Sequence, residues 1–144
     1  FVYCNSLSAA VDFPGLAEET GMRIVTPLDV YRRLAPRYRA LGVIAANAQG
    51  LSGIEKVLLE ANPALDLLGA CALPVVLAVE AGMPPEELVE RHGLAALAAW
   101  FADGGMEALV LGCTHFPYFK EALAARTGLP LVDPAEEMLR LLTQ

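Results

Sequence analysis

Apolar runs of strand length alternate with longer segments of helical period along almost the whole chain, and this alternation most constrains its fold. "FVYC" (1–4) leads into a helix-like stretch from Ser8 to Thr20, which Pro14 and Gly15 must interrupt or restart. "RIVTP" (23–27) precedes "LDVYRRLAPRYR". "LGVIAA" (41–46) precedes "LSGIEKVLLEA", where Ile54, Val57, Leu58 and Ala61 share one helical face. "DLLGACA" (66–72) precedes "LPVVLAVEAG", and a helical stretch broken near Gly93 leads to "EALVLGC" (107–113). "HFPYFKEALAARTG" reads as a helix stopped by Gly128, and "LPLVD" leads into "PAEEMLRLLTQ" with Pro134 in the first helical turn. About six strand–helix units result. Their strands are near-continuous apolar runs, as a parallel sheet covered on both faces requires. The expected fold class is therefore α/β, a parallel-sheet sandwich.

Composition narrows the function. A chain of 144 residues with 56% hydrophobic and 19% charged residues can bury a real core and is not disordered. No apolar run reaches the roughly eighteen residues of a membrane span, and no segment has the layout of a signal peptide. The net charge of −7, without a basic stripe, argues against nucleic acid or a membrane surface as partner. A small anionic ligand stays compatible, because helix starts bind anions locally. Cys4, Cys71 and Cys113 are an odd set without paired spacing, which points to a reducing cytoplasm rather than a disulfide framework. The chain opens on Phe1 inside what reads as a strand, so sequence upstream of it is expected in the parent protein.

"ALVLGCTHFPYF" holds the chemistry. An apolar strand ends in Cys113, Thr114 and His115, although a structural strand end needs only a turn residue. "VYCNSLS" repeats the plan of strand, cysteine, small polar residues and helix, a weak echo that two related halves would explain. In open parallel sheets ligands sit at the carboxyl ends of strands, and Cys4 and Cys113 both occupy that place. The following helix is expected to draw each thiol toward neutrality, and Asn5, Ser6, Ser8, Thr114 and His115 are short groups suited to a carboxylate or amide. The flanking polar residues favour chemistry over packing for this pair. Cys71 reads instead as core packing, and His92 as a solvated cation at a helix end. Two rivals remain: a zinc site from Cys4, Cys113 and His115, and a Cys113 nucleophile with His115 as base. Residues so close in sequence make awkward ligands and awkward catalytic pairs. "QGLSG" lacks the spacing and lysine of a phosphate loop.

"VYCNSLSA" resembles the first cysteine signature of the aspartate/glutamate racemase superfamily, and "LVLGCTHFPY" closely resembles the second. The His after Cys-Thr is similar to the glutamate racemase branch, and the separation of Cys4 from Cys113 is close to that family's usual spacing. "GACALPVVLAVEAG" resembles the family's stretch ending in a functional Glu, here Glu80, and "LVDPAEEMLRLL" its late strand and helix.

The resemblance implies cofactor-independent racemisation of an acidic amino acid, glutamate ahead of aspartate, by two-base proton transfer between Cys4 and Cys113. His115 and Glu80 would assist near Cys113, while Asn5, Ser6 and Thr114 would hold the α-carboxylate or ammonium. The role implied is supply of D-glutamate for bacterial cell-wall peptidoglycan from the cytoplasm. No metal is implied, and a homodimer is compatible. Segments that the family carries before its first cysteine would lie upstream of Phe1. The family's Thr-containing loop is replaced by "ANAQGLSG", with Asn47, Gln49 and Ser52 in its place. The expected organisation is a remnant of the first lobe over 1–24, a second α/β lobe over 25–132 and a helix over 133–144 returning toward the first lobe. The alternative is a non-catalytic, racemase-like module that binds a ligand or partner.

Overall fold

A computed structural model describes residues 1–143. Among them, four strands form one parallel sheet: β1 (Ala40–Ala45), β2 (Asp66–Cys71), β3 (Ala108–Gly112) and β4 (Leu131–Val132), in the order β2-β1-β3-β4. Nine helices among the same residues accompany the sheet: α1 (Asn5–Ala10), α2 (Phe13–Thr20), α3 (Pro27–Leu34), α4 (Ala48–Ala61), α5 (Leu73–Glu80), α6 (Pro85–Arg91), α7 (Leu94–Asp103), α8 (Lys120–Ala124) and α9 (Pro134–Leu142). The α/β class expected from the alternating runs is therefore the class observed.

The central strands are buried on both faces, and their side chains divide with period two. Leu41, Val43 and Ala45 of β1, with Ala108 and Val110 of β3, pack beneath α3 and α4 against Tyr31, Leu34, Ile54, Val57 and Leu58. Ile44, Leu109 and Leu111 point the other way, into Val75, Leu88, Leu94, Phe101, Phe116 and Phe119. At Gly42 this second layer leaves no room for a side chain: a Cβ there would stand 2.7 Å from Cδ1 of Phe101. At Gly93 the backbone turns left-handed, with φ 62°, which ends α6 and starts α7 at the expected break. Val25, Val30, Met138 and Leu141 form a third apolar group that seats α9 on α3.

Several expectations are corrected. "FVYC" and residues 23–26 of "RIVTP" are not strands, and Pro27 already opens α3; Val2 N–H donates to Val25 C=O at 2.9 Å, and one such bond does not make a ladder. The stretch before Thr20 is interrupted as expected, because Asp12 caps α2 by accepting from Gly15 N–H and Pro14 sits in its first turn. The helix after Pro117 begins as a 3₁₀ turn (Phe116–Phe119), and α8 ends at Ala124, well before Gly128. Cys71 is exposed rather than packed, because β2 is an edge strand and this residue lies at its end. His92 is the half-buried C-cap of α6. Gln144, the last residue of the expected terminal helix, lies outside the described residues. No helix among the described residues is long and apolar enough to cross a membrane.

Candidate active site

Gly112 closes β3, and Cys113 comes next at the carboxyl edge of the sheet, 8% exposed. The backbone N–H groups of Thr114 and His115 in the turn that follows favour the thiolate. Burial outweighs them. The Cys113 thiol is held above its ordinary value, first by loss of solvent and further by negative charge on Cys4. The expected lowering by a helix dipole is corrected here, because the chain after Cys113 enters a four-residue 3₁₀ turn rather than a long helix.

His115 folds back over the same sulfur. Its Nδ1 lies 3.6 Å from Cys113 Sγ, and its Nε2 lies 2.9 Å from Oε1 of Glu80 at the end of α5. With Nε2–H donated to the carboxylate, Nδ1 is left to accept from the thiol. The link to Glu80 is a surface one, since the glutamate side chain is 62% exposed. Glu80→Gln keeps the hydrogen bond but removes its charge, and should slow any Cys113-dependent reaction by about fivefold. Rates of Glu80→Gln and the unsubstituted chain, compared at one pH, check this.

Cys4 is the half-buried N-cap residue of α1, and Asn5 and Ser6 occupy the first turn. Asn5 is buried, and its Oδ1 accepts from the Tyr31 hydroxyl at 2.7 Å. Ser6 and Asn47 meet elsewhere, at the start of α4. There Asn47 Oδ1 accepts from Gly50 N–H at 2.9 Å, and a Cβ on Gly50 would lie 3.1 Å from Ser6 Oγ. Asn47 is thus a helix cap, and no hydrogen bond among the described residues joins it or Ser6 to Cys113. Among the described residues no group of three His, Cys, Asp or Glu side chains is placed to hold a metal.

Sequence reasoning missed a phenol pair. Tyr3 donates to Asp133 Oδ1 at 3.4 Å, and the same oxygen caps α9 by accepting from Ala135 N–H. Burial, then the Asp133 carboxylate, pushes the Tyr3 phenol far above its ordinary range. Tyr31 is completely buried and also raised, by burial first and then by charge on Tyr3, Asp133 and Cys113. In sequence Tyr31 sits between Leu28 and Leu34 on an apolar helical face, so it reads as core.

These raised groups make stability fall in alkali. Cys113, Tyr3 and Tyr31 are all held above their ordinary values, so the folded chain keeps protons that the unfolded chain releases. Their contribution is whole below the ordinary thiol value and fades as pH climbs past about 9 and then 10. Urea midpoints measured from neutral pH to pH about 10.5 should fall across that window.

A model of the Asp/Glu/hydantoin racemase family matches residues 16–142. The chain belongs to that family. Among its racemase relatives, a glutamate racemase of Thermus thermophilus is 37% identical over 141 residues, covering 94% of this chain and 50% of the relative. Glutamate racemase of Limosilactobacillus reuteri is 33% identical over 106 residues, covering 72% of this chain and 39% of the relative. The racemase fold is shared as well. A crystal structure of glutamate racemase from Francisella tularensis in complex with D-glutamate superposes with TM-score 0.79 at 25% identity, over 97% of this chain and 53% of that one. The chain spans about half the length of the curated relatives it matches.

Proposed function

We propose that this racemase-family chain carries the two-thiol centre of a glutamate racemase. One cysteine, as thiolate, takes the α-proton of the amino acid, and the other, as thiol, gives a proton to the opposite face of the carbanion. The thiolate ends as thiol and the thiol as thiolate, so the product is the mirror image and no redox step or cofactor enters. Glutamate is the preferred substrate and aspartate the second.

The observation that carries the reading is the cluster at the carboxyl end of β3, where buried Cys113 has His115 Nδ1 3.6 Å from its sulfur and His115 Nε2 is held 2.9 Å from Glu80 Oε1. Burial raises the Cys113 thiol, and charge on Cys4 raises it further, so the two cysteines act on one another electrostatically. His115, tied to Glu80, would support the Cys113 proton, and Thr114 and Asn5 would bind the substrate. Ser6, on α1, and Asn47, at the start of α4, would also contribute. Residues 25–132 would be the second lobe, with 1–24 and the helix from 133 belonging to the first. The setting proposed is the bacterial cytoplasm, where D-glutamate feeds cell-wall synthesis.

The test is proton NMR of L- and D-glutamate, then of aspartate, with this chain in D₂O. Loss of the α-proton signal with formation of the other enantiomer is the expected result. A folded chain that binds glutamate yet leaves its α-proton in place would overturn the reading.

A further inference from the structure

Asn5 is 4% exposed, and only half of its carboxamide is used: Oδ1 accepts from Tyr31, while Nδ2 has no partner among the described residues. A buried donor without an acceptor is a cost that folds seldom carry without a reason. An asparagine kept for packing alone would have both ends paired or be replaced by an apolar residue. A carboxamide also offers two opposite faces, exchanged by a half-turn of the side chain, so its chemistry depends on what holds one end. Here the holder is the hydroxyl of Tyr31, a residue buried completely on α3, 26 positions from its partner.

We propose that Tyr31 is a positioning residue, which locks the Asn5 carboxamide so that Nδ2 is committed as a donor to a carboxylate oxygen of the bound amino acid. The inference rests on the racemase reading for the identity of the ligand. It decides which of the ligand's groups Asn5 recognises. With one Oδ1 lone pair taken by Tyr31 and both Nδ2 hydrogens unpaired, the asparagine's spare capacity is mainly that of a donor, which suits the acid better than the amine. The high proton affinity of the Tyr31 phenol supports this, because the hydroxyl stays a donor across the working pH range.

Calorimetric titration with D-glutamate tests the assignment on the unsubstituted chain, Tyr31→Phe, Asn5→Ala and the double variant. Each single change should raise Kd about tenfold. The double variant should bind no more weakly than Asn5→Ala alone, because Tyr31 acts only through Asn5. In Tyr31→Phe the α-proton exchange rate at saturating glutamate should change less than about threefold, while the concentration for half-saturation tracks Kd. Additive effects, or an unchanged Kd in Tyr31→Phe, would overturn the assignment.

Should Tyr31→Phe fail to fold, the side-chain amide signals of Asn5 in the unsubstituted chain decide instead. They should shift on saturation with D-glutamate, and unmoved signals would overturn the proposal. Non-additive binding without proton exchange would sink the racemase reading and leave Tyr31 in its role. Exchange with additive binding effects would do the reverse, and no binding at all would overturn both.

Discussion

Cys113→Ser is expected to lower α-proton exchange of glutamate by about 10²–10⁴ while leaving the fold in place. A serine hydroxyl fits the space left by the thiol, but near neutral pH it neither gives nor takes a proton at a useful rate. The site offers no replacement. His115 Nδ1 lies 3.6 Å from the sulfur and its other nitrogen is tied to Glu80, so the imidazole stands beside the transferred proton rather than in place of the thiol. The measurement is the α-proton signal of each enantiomer in D₂O, with circular dichroism confirming that the variant is folded. Exchange at the unsubstituted rate in a folded Cys113→Ser variant would remove the two-thiol mechanism.

Phe101→Ala should cost about 3–5 kcal/mol of folding stability, a large share of the 5–15 kcal/mol available to an ordinary domain. The ring is fully buried on α7, among the side chains that cover one face of the sheet, and it packs against β1 at Gly42. Shrinking it opens a void against a rigid sheet, where little can collapse to fill the space. With the ring in place, Gly42→Ala is also unfavourable, since its Cβ would stand 2.7 Å from Cδ1 of Phe101. Urea titration of both variants gives the numbers. A loss below about 1 kcal/mol for Phe101→Ala would mean that the two layers do not close as described.

How much could be read from the sequence depends on where the burial is. β1 and β3 lie in the middle of the sheet, so their apolar runs are continuous and visible. The break at Gly93, the restart at Pro14 and the proline at the start of α9 are local chemistry, and they too were legible. "FVYC" was not, because an extended segment becomes a strand only when a partner supplies a ladder. Cys71 looks like a core residue until the strand order puts β2 at an edge. At the site, Cys113 and His115 announce themselves as a cluster, whereas the direction of the Cys113 shift depends on packing that a sequence does not display. The Tyr31–Asn5 bond joins two elements far apart in the chain, and nothing local in either segment signals it.

The strand order has a consequence for the nascent chain. β1 pairs with β3 only after α4, β2, α5, α6 and α7 have been made, and Cys113 comes after β3. Synthesis proceeds at roughly 5–20 residues per second, so Cys4 leaves the ribosome several seconds before the thiol that it faces chemically. During that interval neither the amides of Thr114 and His115 nor the charge coupling between the two sulfurs exists. Cys4 and Cys71 then share one unfolded chain as ordinary thiols, open to oxidants and to each other. A chain with β1 at the centre of its sheet is thus most vulnerable to oxidation before its last crossover closes, and a reducing environment matters to it more during synthesis than afterwards.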